Sequence, residues 1–213
     1  MWPQANLNKI AEITSMIKYP NGKTYISTNT VNNKPKNKKA CLTSANRGMG
    51  LEHDINLSND YYKAKDIALI TKRPTPINVV KVDYTKGAKI TDAYFEKQST
   101  TDYNGVYNGK YIDFEAKSTK KKTSFPLANI SKHQIEHLKN VIKHKGIAFF
   151  IIEFASFDEV YFLDAQYVIN YYENGSRKSI PYQTIKEVGK AIKKGFMPRL
   201  DYLPIIKEIC EKS

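Results

Sequence analysis

The chain has 213 residues, with 34 Lys+Arg against 21 Asp+Glu and a formal charge of +13 at pH 7. That imbalance exceeds what solubility asks of a small domain and points to an anionic partner. At 41% hydrophobic and 12% aromatic residues the chain can bury one sizeable core, which excludes wholesale disorder and fits one domain better than two. Cys41 and Cys210 stand near opposite ends with no CxxC or Cys/His cluster, so neither a disulfide framework nor a structural zinc site is expected.

No run approaches the roughly 18–20 apolar residues of a membrane span, and Met1-Trp2-Pro3-Gln4 lacks the basic-then-apolar order of a signal peptide. The expectation is a cytoplasmic protein without a membrane partner. The excess charge is localised. Residues 1–50 hold 8 basic and 1 acidic residue and residues 110–145 hold 9 and 3, whereas 51–109 and 146–213 balance at 8 against 8 and 9 against 9.

In chain order, residues 1–45 read as a flexible basic arm, centred on the polar run Asn32-Asn33-Lys34-Pro35-Lys36-Asn37-Lys38-Lys39; such a run suits phosphate contact or simple solvation. Ser44 could cap a helix over about 48–63, with Leu51, Ile55 and Tyr62 on one face and Glu52 beside that stripe. Ile67–Ile70 and Ile77–Val82 are short and β-branched enough for strands, and a third extended piece runs from Ala88 to Lys97. Asn108-Gly109 joins two further strands, Thr101–Tyr107 and Lys110–Lys117, as a tight hairpin. Ser131 caps a helix to about His144, the apolar run from Ile147 to near Phe154 reads as a strand covered on both faces, and Glu159–Leu163 follows it. Two or three helices complete the chain, one around 182–194 and one around 202–211. The order predicts one α/β domain with a mixed sheet.

The hairpin carries the chemistry. In Tyr111-Ile112-Asp113-Phe114-Glu115-Ala116-Lys117 the period of two puts Asp113, Glu115 and Lys117 on one face and Ile112, Phe114 and Ala116 on the other. Taken alone, this is either a solvent-facing sheet surface or a site. Asp102, 13 residues before Glu115, reaches the neighbouring strand through the tight turn. Two converging carboxylates repel unless neutralised, and a hard divalent cation with oxygen ligands does so. With Lys117 aimed at the same spot, the set suits phosphodiester hydrolysis. An acid followed by Glu-x-Lys resembles the PD-(D/E)xK nuclease superfamily, and Lys120-Lys121-Lys122 add cationic surface beside it.

A longer series of segments runs from about Met16 to Tyr202: Tyr19-Pro20-Asn21-Gly22-Lys23, Asn46-Arg47-Gly48-Met49, Lys72-Arg73-Pro74-Thr75-Pro76, Ser99-Thr100-Thr101-Asp102-Tyr103-Asn104-Gly105, Tyr111 to Lys117, Thr123 to Leu127, His133-Gln134-Ile135-Glu136-His137 and Pro198 to Tyr202. Together they resemble the RecU family of Holliday-junction resolvases. The resemblance implies a restriction-endonuclease-like core over about 46–213, with a mixed central sheet flanked by helices. It implies a projecting β stalk inserted at about 79–95. It also implies a homodimer that nicks opposed strands of a four-way junction with Mg²⁺, or Mn²⁺ as substitute, in DNA recombination and repair. A RecA-type recombinase and a branch-migration motor are implied partners.

Carried onto this chain, Asp102 and Glu115 would be metal ligands with Thr100 and Gln134, Lys117 would be catalytic, and Glu52 would match an acidic position directed at the metal, an exposed helical Glu being the competing reading. Arg47, Lys72, Arg73 and Lys120–Lys122 would contact DNA, with Lys86, Lys89, Tyr94 and Phe95 on the stalk, where core packing is the competing reading for the two aromatics. The stalk tip departs from the family pattern: Tyr84-Thr85-Lys86-Gly87 stands where a Pro-Lys-Arg-type turn is expected, so an arginine is missing and the lysines lack its planar fork. Two other functions remain open, a non-cleaving junction-binding accessory protein and a restriction-type enzyme reading a duplex sequence. His133 and His137 share a helical face, but without an HExxH order or a third ligand they are expected to be exposed or DNA-facing rather than zinc-bound.

Overall fold

The computed structural model describes residues 44–96 and 100–212, with side chains from 50 to 211; the basic arm expected before residue 44 lies outside them. The elements are α1 (Ser44–Ala64), β1 (Leu69–Lys72), β2 (Ile77–Asp83), β3 (Lys89–Phe95), β4 (Tyr103–Tyr107), β5 (Lys110–Thr119), β6 (Ser124–Pro126), α2 (Lys132–Lys143), β7 (Ile147–Phe154), β8 (Glu159–Asp164), α3 (Ala165–Asn174), β9 (Ser179–Pro181), α4 (Tyr182–Val188), β10 (Lys190–Ala191), β11 (Lys193–Lys194), β12 (Leu200–Asp201) and α5 (Leu203–Lys212). Six strands form a mixed sheet in the order β1-β4-β5-β7-β8-β10, in which only β5 and β7 run parallel. α2 is the crossover that a parallel pair requires. This is the mixed sheet flanked by helices that the sequence predicts.

Strand periodicity divides the sheet into two apolar faces. From β7, Phe149 and Ile151 join one core with Ile112 and Phe114 of β5, Leu51 and Ile55 of α1, and Leu203 and Ile206 of α5. Phe150 and Ile152 join the other, with Ile135 and Leu138 of α2 and Val168 of α3. β7 is therefore buried on both sides, as its unbroken apolar run requires. Across the first face a row of rings crosses four strands: Tyr103 stacks on Phe114 at 4.8 Å, Phe114 on Phe149 at 4.6 Å and Phe149 on Phe162 at 4.3 Å between centroids.

The turn between β4 and β5 is formed by Asn108 and Gly109 at φ 47° and 73°, the two positive values a tight hairpin needs to match strand twist. β2 and β3 form a separate two-stranded ribbon, whose apolar residues stay in water: Tyr94 is 61% and Phe95 78% exposed. Ile77 pairs with Phe95 at one end and Asp83 with Lys89 at the other, where Gly87 closes the turn at φ 101°.

Some boundaries differ from the sequence reading. α1 starts at Ser44 itself, and the first strand lies two residues later than expected because Asp66, at φ 54°, ends the helix with Ile67 N–H donating to Tyr62 O. The helix expected over 182–194 stops at Val188. There Gly189 takes an extended conformation, and β10 then adds to the sheet edge through Lys190 and Ala191. The helix α3, begun by Asp164 accepting from Gln166 N–H, has no range assigned in the sequence reading.

Candidate active site

On β5 the residues that face α2 are Asp113, Glu115 and Lys117, at the positions where neighbouring β7 presents Ala148, Phe150 and Ile152. Asp113 and Glu115 are both 0% exposed. A buried carboxylate persists only if something answers its charge, and here each has its own set of donors.

Glu115 Oε1 accepts from Gln134 Nε2 at 2.6 Å and lies 2.7 Å from Lys117 Nζ, while Oε2 accepts from the Asp102 backbone N–H at 3.1 Å. Tyr103 faces Phe114 in the β4–β5 ladder, so Asp102 and Glu115 are the next residues outward, as the tight turn predicts. Burial chiefly pushes the Glu115 carboxyl up to about 8; Lys117 pulls against the rise and the Asp102 charge adds to it. Tyr103 is raised by burial first and then by the charges of Glu52, Asp102 and Glu115. Its hydroxyl donates to Asn56 Oδ1 at 3.1 Å on α1, which ties the helix carrying Glu52 to the hairpin.

The structure thus brings Asp102, Glu115 and Lys117 together. Glu52 stands at the rim, where Lys72 Nζ holds its carboxylate at 2.5 Å in a largely exposed pair. Among the described residues, no three His, Cys, Asp or Glu side chains converge as metal ligands. Asp102 meets Glu115 through its backbone N–H, carboxylate oxygen is the kind of donor a hard cation takes, and Thr100 is half-buried two residues before Asp102.

Gln134, expected beside the metal, lies against Glu115. Its Oε1 accepts from Ser131 N–H at 3.0 Å in the capping box of α2, which leaves its amide NH₂ for Glu115. In this geometry Gln134 ties the start of α2 to Glu115 on β5.

Arg73, expected to contact DNA, is 20% exposed and its guanidinium turns onto Asp113 Oδ2 at 2.7 Å. Asp113 further accepts from Thr101 Oγ1, from Tyr111 OH at 2.8 Å and from His137 Nε2 at 2.9 Å. Burial alone would raise this carboxyl, but the hydrogen bonds from His137, Arg73, Thr101 and Tyr111 hold it below the ordinary carboxylate range. His137, expected to be exposed or DNA-facing, is a half-buried partner of Asp113. The alternation along β5 places Asp113 on the face of Glu115 and Lys117, as expected, but assigns it no partner.

The expected DNA contacts on the ribbon and after β5 lie on open surface. Lys86 and Lys89 stand at the tip end of the ribbon and Phe95 at its opposite end; neither Tyr94 nor Phe95 packs in a core. Lys120, Lys121 and Lys122 are exposed directly after β5. Arg47 falls in the first turns of α1, with its side chain outside the described residues. No described helix is long and apolar enough to cross a membrane.

Comparison with known proteins places this geometry in a family. The chain is 51% identical to the Holliday junction resolvase RecU of Bacillus cytotoxicus over 195 residues, covering 89% of this chain and 96% of the relative. It is 50% identical to the Holliday junction resolvase RecU of Bacillus cereus over 198 residues, covering 91% and 98%. Among solved structures, Hjc, a Holliday junction resolvase from Archaeoglobus fulgidus, matches 67% of this chain and 94% of its own length at 12% identity and a TM-score of 0.40. The model of the family described as RecU, Recombination protein U, matches residues 46–208, and the chain belongs to that family.

Proposed function

We propose that this chain is an endodeoxyribonuclease that resolves Holliday junctions by hydrolysing phosphodiester bonds in opposed strands, in recombination and repair, as a homodimer with Mg²⁺. The observation that carries the reading is the buried Glu115 carboxylate joined to Asp102 N–H at 3.1 Å and to Lys117 Nζ at 2.7 Å. The names of relatives about half identical over nearly the whole chain support the junction as substrate.

Asp102 and Glu115 would hold the cation, with the Thr100 hydroxyl beside them. When bound, the cation would polarise the phosphoryl group and lower the pKa of a coordinated water. Lys117, 23% exposed and held by Glu115, stands where a cation can meet charge developing on phosphoryl oxygens. Gln134 fixes the Glu115 rotamer from α2, and the ring row behind β4 and β5 keeps both strands from shifting. Exposed Lys120–Lys122 and the lysines of the ribbon offer phosphate contacts on either side. A RecA-type recombinase and a branch-migration motor are the proposed protein partners, and the cytoplasm the proposed location.

The test is nicking of a synthetic four-way junction with and without Mg²⁺. Asp102→Ala and Glu115→Ala should each abolish nicking and leave junction binding intact. Normal cutting by both variants would overturn the assignment, and equal cutting of linear duplex of the same sequence would favour a restriction-type enzyme.

A further inference from the structure

Asp113 is fully buried and receives side chains from four separate places: Arg73 after β1, Thr101 before β4, Tyr111 within β5 and His137 on α2. Simple neutralisation of one carboxylate needs fewer donors than this. What sets the cluster apart is where its members end.

Arg73 grips the chain on both sides of Asp102. Its backbone N–H donates to Asp102 O at 2.7 Å, and its Nη1 donates to Thr101 O at 3.2 Å and to Thr101 Oγ1 at 2.5 Å. Those two carbonyls belong to the two peptide units that flank the Asp102 Cα. The Asp102 N–H is itself held by Glu115. The Asp102 backbone is therefore tied at three points, two of them through Arg73.

The same cluster sets the other half of the site. α2 meets β5 at two rungs, Gln134 on Glu115 and His137 on Asp113. Residues three apart on a helix share a face and residues two apart on a strand share a face, so the rungs are in register. The rung on Asp113 fixes how α2 lies, and hence where Gln134 holds Glu115.

We propose that Arg73, Asp113 and His137 are positioning residues that set the separation of the Asp102 and Glu115 carboxylates and so the affinity of the pair for a divalent cation. This rests on the nuclease reading above. Arg73 is then not a DNA contact, and its planar fork is the reason a lysine would not replace it: an ammonium can neutralise Asp113 but cannot also span to the Thr101 carbonyl in a fixed plane.

The experiment measures Mn²⁺ binding to the whole chain without DNA, by electron paramagnetic resonance titration, beside thermal unfolding and junction binding without metal. Arg73→Lys should weaken Mn²⁺ binding by about 10–100-fold, the usual effect of losing a partner behind a metal ligand, and slow single-turnover nicking at fixed Mn²⁺. Junction affinity and its salt slope should match wild type. Unchanged Mn²⁺ affinity in a folded Arg73→Lys protein overturns the proposal, as does a salt slope reduced by about one, which marks a lost phosphate contact. Should Arg73→Lys not fold, Tyr111→Phe removes one donor to Asp113 from an exposed position; a fall in Mn²⁺ affinity with unchanged melting supports the proposal, and no fall overturns it. Wild-type protein that binds no Mn²⁺, or Asp102→Ala protein that binds it normally, would instead sink the nuclease reading, whatever Arg73 does.

Discussion

The Glu115 carboxyl stands raised from the ordinary 4.5 to about 8, chiefly by burial. The sign of the consequence follows from linkage. A carboxyl whose folded pKa exceeds its unfolded one favours the folded state fully below pH about 4.5, and that contribution is lost as pH rises through about 8. Metal-free protein should therefore lose stability across this window, by at most about 1.4 kcal/mol per pH unit. Urea unfolding at several pH values in chelator checks this, and Glu115→Gln should flatten the slope. The residues of this pair were legible in sequence because two local rules, alternation along β5 and the Asn-Gly turn, decide where they point. Arg73 was not. Its direction depends on β1 pairing with β4, with Lys72 opposite Tyr103, and no local pattern says which strand β1 will edge. A Lys-Arg pair before a proline looks the same whether it faces solvent or a buried acid.

At the level of elements, the edge strand β1 is held to the hairpin through a position with no side chain. A Cβ on Gly105 would collide with Leu69 O and approach Ile70 Cα to 2.6 Å, so the strand spacing there depends on glycine. Gly105→Ala should push β1 off β4, lower the unfolding midpoint by several degrees and reduce nicking, because Arg73 leaves Asp113 with the strand. Circular dichroism melts beside the junction assay check both. β7 and α2 could be placed from sequence since each is long and strongly patterned. The segment 189–201 could not: β10, β11 and β12 are two-residue strands whose existence depends on the partner edge rather than on their own composition.

For the molecule as a whole, the charge of +13 is separated from the chemistry it serves. The ions nearest the carboxylates are paired inward, Arg73 with Asp113 and Lys117 with Glu115, and Lys72 answers Glu52 at the rim. Sequence-independent grip then belongs to the exposed lysines, such as Lys121 and Lys122. Junction binding should weaken steeply as salt rises from about 50 to 200 mM, with the slope of log affinity against log salt falling by about one for each phosphate-contacting lysine removed. Fluorescence anisotropy on Lys121→Ala and Lys122→Ala tests this, with unchanged cleavage of pre-bound junction as the companion result.

The two-residue turn at Asn108 and Gly109 has a reach beyond its own geometry. It closes the chain between the two acids over a separation of 13 residues, whereas the β5–β7 pairing beside it must wait for the crossover through α2. Closing a short loop costs little chain entropy and happens fast. The contact between Asp102 and Glu115 is therefore local in the chain, whereas the packing of α2 against Glu115 joins residues across the crossover.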